Sequence, residues 1–144
     1  MATIIDANKC VLGRMANQVA KRLLQGEEIH IINAEKAIVS GTSKATIKNR
    51  YLQRYHLGTY RKGPFMHRMP HDLVKRSVRG MIPYQTPRGR DALKRLKAHI
   101  GIPAEFQGMD AEVIQDAQRT PRGMIMTIGE ISHALGAPFK PEVQ

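Results

Sequence analysis

One amphipathic segment, residues 12–25, stands between two short β-rich runs, and that order leaves few folds open to the chain. At about 100° per residue, Met15, Ala16, Val19, Ala20, Leu23 and Leu24 share one half of a helix, while Arg14, Asn17, Gln18, Lys21, Arg22 and Gln25 share the other. Residues 2–7 form the β-rich run before it. Ile29, Ile31 and Ile32 form the run after it, ending at Asn33. Gly26 is placed to stop the helix in a left-handed conformation. Strand, helix and strand in about thirty residues predict a βαβ unit. A right-handed crossover makes its strands parallel and lays the helix on one face of the sheet.

The 144 residues read as one domain, 1–144, long enough for a single hydrophobic core. The lone Cys10 has no internal disulfide partner, which points to a reducing cytosol and a cytoplasmic location. No run reaches the roughly 18 apolar residues of a membrane span, and Asp6 precedes any sustained apolar stretch, unlike a signal peptide.

The middle of the chain is different in kind. Residues 41–100 hold fifteen of the twenty-three Lys and Arg and only two acids, Asp72 and Asp91, a net +13. Residues 1–40 carry +1 and residues 101–144 carry −3, which accounts for the overall +11. Charge so confined needs counter-charge, and nucleic acid is the largest biological polyanion. Residues 43–57 read as a helix with Ile47, Tyr51 and Tyr55 in a stripe that Lys44 and Lys48 interrupt. Residues 58–70, with Gly58, Gly63, Pro64 and Pro70, read as a basic loop. Residues 71–81 form a helix with Leu73, Val74, Val78 and Met81 opposite Lys75, Arg76 and Arg79.

A stiff turn over 83–90 then carries Arg88 and Arg90. A further helix follows, with Ala92, Leu93, Leu96 and Ile100 on one face, giving way to a strand near 97–100. Residues 36–40 suit either a short strand or a turn. Near the C-terminus, residues 124–126 read as a strand. Thr127 and Glu130 form a capping box for a helix bearing Ile128, Ile131 and Leu135, stopped by Gly136.

The short motifs of phosphate cradles, nucleophile elbows and zinc proteases are absent from the sequence. His67 and His71 have helical ligand spacing, but Pro70 lies between them and one cysteine is a poor start for a metal site, so neither a metal nor a cofactor is expected. Asp72 and Asp91 are better explained by pairing with Lys75, Arg76 or Arg95 than by acid–base work. Residues 40–44 suit a capped turn, with a phosphate contact as the sharper alternative. Tyr51, Tyr55, Tyr60 and Tyr84 lie within the basic segment, where packing and base stacking compete as explanations. One basic helix face is usually only solvated. Three candidate helices and two loops that agree in sign make a nucleic-acid surface.

Two blocks of residues carry a resemblance. The first is Val78-Arg79-Gly80-Met81-Ile82-Pro83, then Arg88-Gly89-Arg90, then Leu93, Leu96-Lys97 and Gly101. The second is Asp6-Ala7, Leu12-Gly13-Arg14-Met15-Ala16 and Asn33-Ala34-Glu35-Lys36. In order and approximate spacing they resemble the universal family of large-subunit ribosomal protein thirteen. Bacterial members have an insertion before the second strand and a histidine-rich turn after the last basic helix. Here Gly26 leads directly to Glu28, and the turn runs from Gly101 to Phe106, as in the archaeal and eukaryotic branch. Eukaryotic members end in a long basic helix that a chain stopping at Gln144 does not carry, so the reading is archaeal.

The resemblance implies a compact three-layer α/β/α fold with a small, mainly parallel sheet and basic helices and loops on its RNA side. It implies a structural constituent of the large ribosomal subunit, not an enzyme, whose partners are large-subunit ribosomal RNA and neighbouring ribosomal proteins. No membrane or small-molecule substrate is expected. Matched to the family block, Arg79, Gly80, Arg88 and Arg90 are expected nearest the RNA. The basic faces add Lys44, Lys48, Arg50, Arg54, Arg61, Lys62, Arg68, Lys75, Arg76 and Lys94.

Overall fold

The opening residues do fold as a βαβ unit. A computed structural model of the chain describes residues 2–118 and 120–138. In it β1 (Ala2–Asp6) and β2 (Glu28–Ile32) run parallel, with Ile5 opposite Ile31, and α1 (Leu12–Gln25) connects them. Gly26 closes α1 at φ 105°, and its N–H donates to the Leu23 carbonyl at 3.1 Å. A side chain there would force a costly left-handed backbone, which glycine adopts freely.

A 3-10 turn, Ala34–Lys36, leads into β3 (Ile38–Gly41) and α2 (Lys44–His56). After an irregular stretch come α3 (Pro70–Arg79), α4 (Pro87–Lys94) and β4 (Leu96–Ala98). A second 3-10 turn, Ala104–Phe106, precedes β5 (Met124–Thr127) and α5 (Ile128–Ala134). β4 adds in parallel to the free side of β2, giving the order β1-β2-β4, and β3 pairs antiparallel with β5.

Strand alternation decides which face of the sheet is covered by helices. Ile5, Ile29, Ile31 and Leu96 share one face and are fully buried with Met15, Val19 and Leu23 of α1 and Val74 and Val78 of α3. Burying each such aliphatic side chain contributes about 1.5–3 kcal/mol, so this layer dominates the stability of the domain. On the other face His30 stacks on His99, with ring planes 5° apart, and meets the Phe106 edge. The second 3-10 turn brings Phe106 onto that side, and the irregular chain after it runs along the free edge of β1. Within that chain Glu112 exchanges backbone hydrogen bonds with Ile4 and Asp6, and its carboxylate accepts from Arg22 of α1 at 2.8 Å.

Cys10 is fully buried, and burial with the nearby Asp6 charge pushes its thiol up to about 11. It stays a neutral thiol at physiological pH.

The structure corrects four local expectations. The helix read over 71–81 ends at Arg79, and Met81 lies beyond it, 44% exposed instead of on its apolar face. The turn expected over 83–90 ends early, because Thr86 accepts from the Gly89 N–H at 3.2 Å and Pro87 starts α4. Arg88 and Arg90 therefore sit in the first turn of a helix. That helix stops at Lys94, and Leu96 is a sheet residue in β4, not a helix-face partner of Ile100. Asp72 pairs with histidines: His71 Nε2 lies 3.6 Å and His67 Nδ1 4.0 Å from its carboxylate. Asp91 pairs with Lys94 at 3.3 Å. The open choice at 36–40 resolves into the end of a 3-10 turn followed by β3. The Thr127–Glu130 capping box forms as read, with both reciprocal hydrogen bonds present.

Candidate nucleic-acid interface

α2 begins where Ser43 accepts from the Thr46 N–H at 3.1 Å, so residues 40–44 act as a capped turn. Ile47 is buried and Tyr51 and Tyr55 pack against the core, which leaves Lys48, Arg50 and Arg54 exposed on the outer side. Burial raises the Tyr51 phenol above its ordinary value, as expected for packing and not for an open stacking platform.

α3 starts on Pro70, whose missing N–H costs nothing at a first helical position. Its apolar residues Leu73, Val74 and Val78 face inward and leave Lys75, Arg76 and Arg79 on the other side. The chain then turns tightly. Tyr84 N–H donates to the Ile82 carbonyl at 2.7 Å, and the Thr86 hydroxyl and N–H both donate to the Pro83 carbonyl. Gly89 closes the turn from below: a Cβ there would lie 2.0 Å from the Pro83 oxygen.

Two clefts open along this surface. The larger, about 270 Å³, takes Tyr51 and Arg54 from α2, Met66 from the loop, and Leu73, Arg76 and Ser77 from α3, and ends at Gly80. The smaller, about 170 Å³, is lined by Arg76, Arg79, Gly80 and Tyr84. Arg76 and Gly80 belong to both, so the clefts form one trough across the C-terminal end of α3. Its cations are Arg54, Arg76 and Arg79, and no acidic side chain lines it among the described residues. Arg79 also lies over the Tyr84 ring, with Cζ 4.2 Å from the centroid. The neighbouring Arg79 and Gln85 side chains, Arg79 foremost, hold the Tyr84 phenol below its ordinary value.

The remaining sequence-predicted residues divide by what they already touch. Arg88 Nη2 donates to the Leu24 carbonyl at 3.2 Å, at the C-terminal end of α1. Arg95, absent from the predicted set, does the same to the Leu23 carbonyl at 3.2 Å. The Leu23 carbonyl also accepts from the Gly26 N–H, so Arg95 adds a second bond there, and both cations complement the dipole at the helix end. Arg68 donates to the Gly136 carbonyl at 3.4 Å and lies 5.8 Å from the Tyr55 centroid. Arg90 donates to the Gln85 carbonyl at 3.5 Å, and Lys44 Nζ lies 3.6 Å from Glu130. The side chains of Lys48, Arg50, Arg61, Lys62 and Lys75 have no hydrogen-bond or ion-pair partner among the described residues.

The His67, His71 and Asp72 group lies at the start of α3, and all three side chains are at least one-third exposed. Among the described residues no three His, Cys, Asp or Glu side chains are grouped to hold a metal ion, and no helix is long and apolar enough to cross a membrane. Sequence reasoning missed the His30–His99 pair, whose Nδ1 and Nε2 are 3.3 Å apart. Burial and the neighbouring His30 hold the His99 pKa below 6.5.

Residues 1–105 match the family model described as ribosomal protein L13. The chain is similar over nearly its whole length to proteins named large ribosomal subunit protein uL13. That of Methanococcoides burtonii is 45% identical over 139 residues, covering 95% of this chain and 99% of the relative. That of Methanopyrus kandleri is 47% identical, covering 93% and 86%. That of Methanosphaera stadtmanae is 46% identical, covering 96% and 100%. These are archaeal proteins, in agreement with the branch read from the sequence.

Proposed function

Because the chain belongs to the ribosomal protein L13 family, we propose that it is a non-catalytic constituent of the large ribosomal subunit in the cytoplasm, and that it binds folded large-subunit ribosomal RNA along the Arg54–Arg76–Arg79 trough. The observation that carries this reading is the trough itself: three arginines from two helices line its adjoining clefts, and among the described residues no acidic side chain lines them. Like charges so placed repel one another in the free protein, and a polyanion relieves that repulsion. Arginine suits the task because its planar fork makes paired hydrogen bonds to phosphate oxygens.

Charge supplies affinity, while fit supplies selectivity. The rigid turn of residues 80–86 and the bare backbone at Gly80 present a fixed shape to folded RNA, which is recognised more by shape and backbone than by groove sequence. Lys48, Arg50, Arg61, Lys62 and Lys75 extend the positive field beyond the trough, and Arg68, Arg88, Arg90, Lys44 and Lys94 add to it while held by intramolecular partners. Neighbouring ribosomal proteins complete the set of partners.

The test is the salt dependence of binding to large-subunit ribosomal RNA. With about eight phosphate contacts, log K falls against log salt with a slope of roughly −6 to −7. A salt-independent affinity overturns the proposal, and equal affinity for duplex DNA at the same salt makes the surface a general polyanion binder.

A further inference from the structure

We propose that the small cleft bounded by Arg76, Arg79, Gly80 and Tyr84 receives one unpaired nucleotide, its base stacked on the Tyr84–Arg79 pair and its phosphate on Arg76. This rests on the reading of the trough as an RNA-binding surface and names what one end of it recognises.

The four tyrosines are not equivalent. Tyr51 and Tyr55 pack against the core, and Tyr60 is 96% exposed in the loop with no ring or cation partner among the described residues. Tyr51 lines the larger cleft and Tyr55 has Arg68 5.8 Å from its ring, but among the described tyrosines Tyr84 combines both features, lining a cleft with a guanidinium 4.2 Å from its ring centroid, at 37% exposure. An arginine stacked on an aromatic ring forms a broad flat surface, cationic and apolar at once, the chemistry that a nucleobase with its phosphate presents in complement.

The platform is also pre-ordered. Pro83 fixes the backbone before Tyr84, the Pro83 carbonyl is held by Thr86, and Gly89 lies beneath that carbonyl with no room for a side chain. Little entropy remains to be lost on binding, so stacking contributes almost its full value.

Gly80 supplies an independent clue. Its backbone is right-handed helical, and a Cβ there would meet its nearest atoms at 3.6 and 3.8 Å, ordinary contact distances. The protein's own fold does not require glycine at this position. Gly80 lines both clefts, so a side chain added there would be added to their shared wall. A fully paired helix offers no free base face to such a site, so the occupant is a bulged, looped or flipped-out nucleotide.

The experiment measures affinity of the full-length chain for large-subunit ribosomal RNA and for a fully paired RNA duplex, in wild type, Tyr84→Phe and Tyr84→Ala. Loss of stacking predicts about a 5- to 150-fold weaker complex for Tyr84→Ala on ribosomal RNA. The salt slope should be unchanged, because no charge is removed, and duplex affinity should also be unchanged. Tyr84→Phe keeps the wild-type affinity. Tyr84→Ala binding ribosomal RNA like wild type overturns the proposal, as does an equal loss on the duplex.

Base-specific chemical probing of the bound RNA decides the case should Tyr84→Ala fold poorly. A single unpaired base protected by wild type and Tyr84→Phe must become reactive with Tyr84→Leu, and protection that survives in Tyr84→Leu overturns the proposal. Normal RNA binding by Tyr84→Ala with failed entry into the subunit assigns the cleft to a protein side chain, and also overturns it. Absence of salt-dependent ribosomal RNA binding in the wild type removes the parent reading instead, so the two failures are distinguishable.

Discussion

Residues 76–84 and residues 86–95 lie side by side in the chain, and each contains two or more arginines and one glycine, yet their duties are opposite. In the first stretch Arg76 and Arg79 face an open trough, and Gly80 sits where any small residue would fit. In the second, Arg88 and Arg95 reach back to the Leu24 and Leu23 carbonyls at the end of α1, and Gly89 is wedged under Pro83. The difference lies in what arrives from elsewhere. The C-terminal end of α1 meets Arg88 and Arg95, whereas the side of the first stretch that bears Arg76 and Arg79 lines open clefts.

The glycines test this contrast most severely. Gly89→Ala places a methyl group 2.0 Å from a backbone oxygen that cannot step aside, so the turn or α4 must shift. Overpacking of this kind costs about 3 kcal/mol, and thermal unfolding should show a fall of roughly 10 °C. Gly80→Ala should leave the melting temperature unchanged or raise it slightly, since alanine narrows the unfolded ensemble at a compatible position by about 0.4–1 kcal/mol. It should nevertheless weaken ribosomal RNA binding. Early melting by Gly80→Ala, or a harmless Gly89→Ala, breaks the comparison.

The arginines give a smaller effect of the same form. Arg76→Ala should weaken ribosomal RNA binding by about 1.5–3 kcal/mol, the value of a hydrogen bond to a charged group. Its unfolding free energy should stay within about 0.5 kcal/mol of wild type, as for most surface changes. Arg95→Ala should do the reverse, costing about 1 kcal/mol of stability through the lost bond to the end of α1. Its affinity for RNA, measured on folded protein, should hold. Denaturant titration and RNA binding on the same preparations separate the two outcomes.

How far the sequence foretold this depends on the range of the interaction. The βαβ opening was legible because a 3.6-residue period and a β-rich alternation are local, and the Thr127–Glu130 box because a cap spans three residues. The start of α4 also had a local signal, Thr86 followed by Pro87, which the proline-rich look of residues 83–87 obscured. The roles of Arg88 and Arg95 had none. A basic residue on a helix shows its sign in the sequence but not its direction, and these two bind carbonyls more than sixty residues away in the chain. The family block drew residues 78–83 and 88–90 together as the part nearest RNA. It did not separate the arginines that face outward from those that tie the domain together.

The His30–His99 pair, on the sheet face away from the core helices, joins residues 69 positions apart and became visible only once β2 and β4 were adjacent. It carries the smallest effect. Burial and the neighbouring His30 lower the His99 pKa, so the unfolded chain takes up a proton near pH 6.5 before the folded one does. The stabilising contribution is complete above pH 6.5, declines as the pH falls below it, and levels off once the folded group is protonated. The melting temperature of His99→Gln should therefore fall less steeply than wild type between about pH 7 and pH 5. Parallel curves contradict that assignment.

The central claim is that the outward-facing arginines bind phosphate while the inward-tied ones hold the fold. It is tested most directly by the salt dependence of ribosomal RNA binding for a chain carrying Arg54→Gln, Arg76→Gln and Arg79→Gln together. Removing three phosphate contacts should make the log–log slope shallower by about 2–3, at roughly 0.7–0.9 per contact, with an unchanged unfolding transition. A slope equal to that of the wild type would contradict the account.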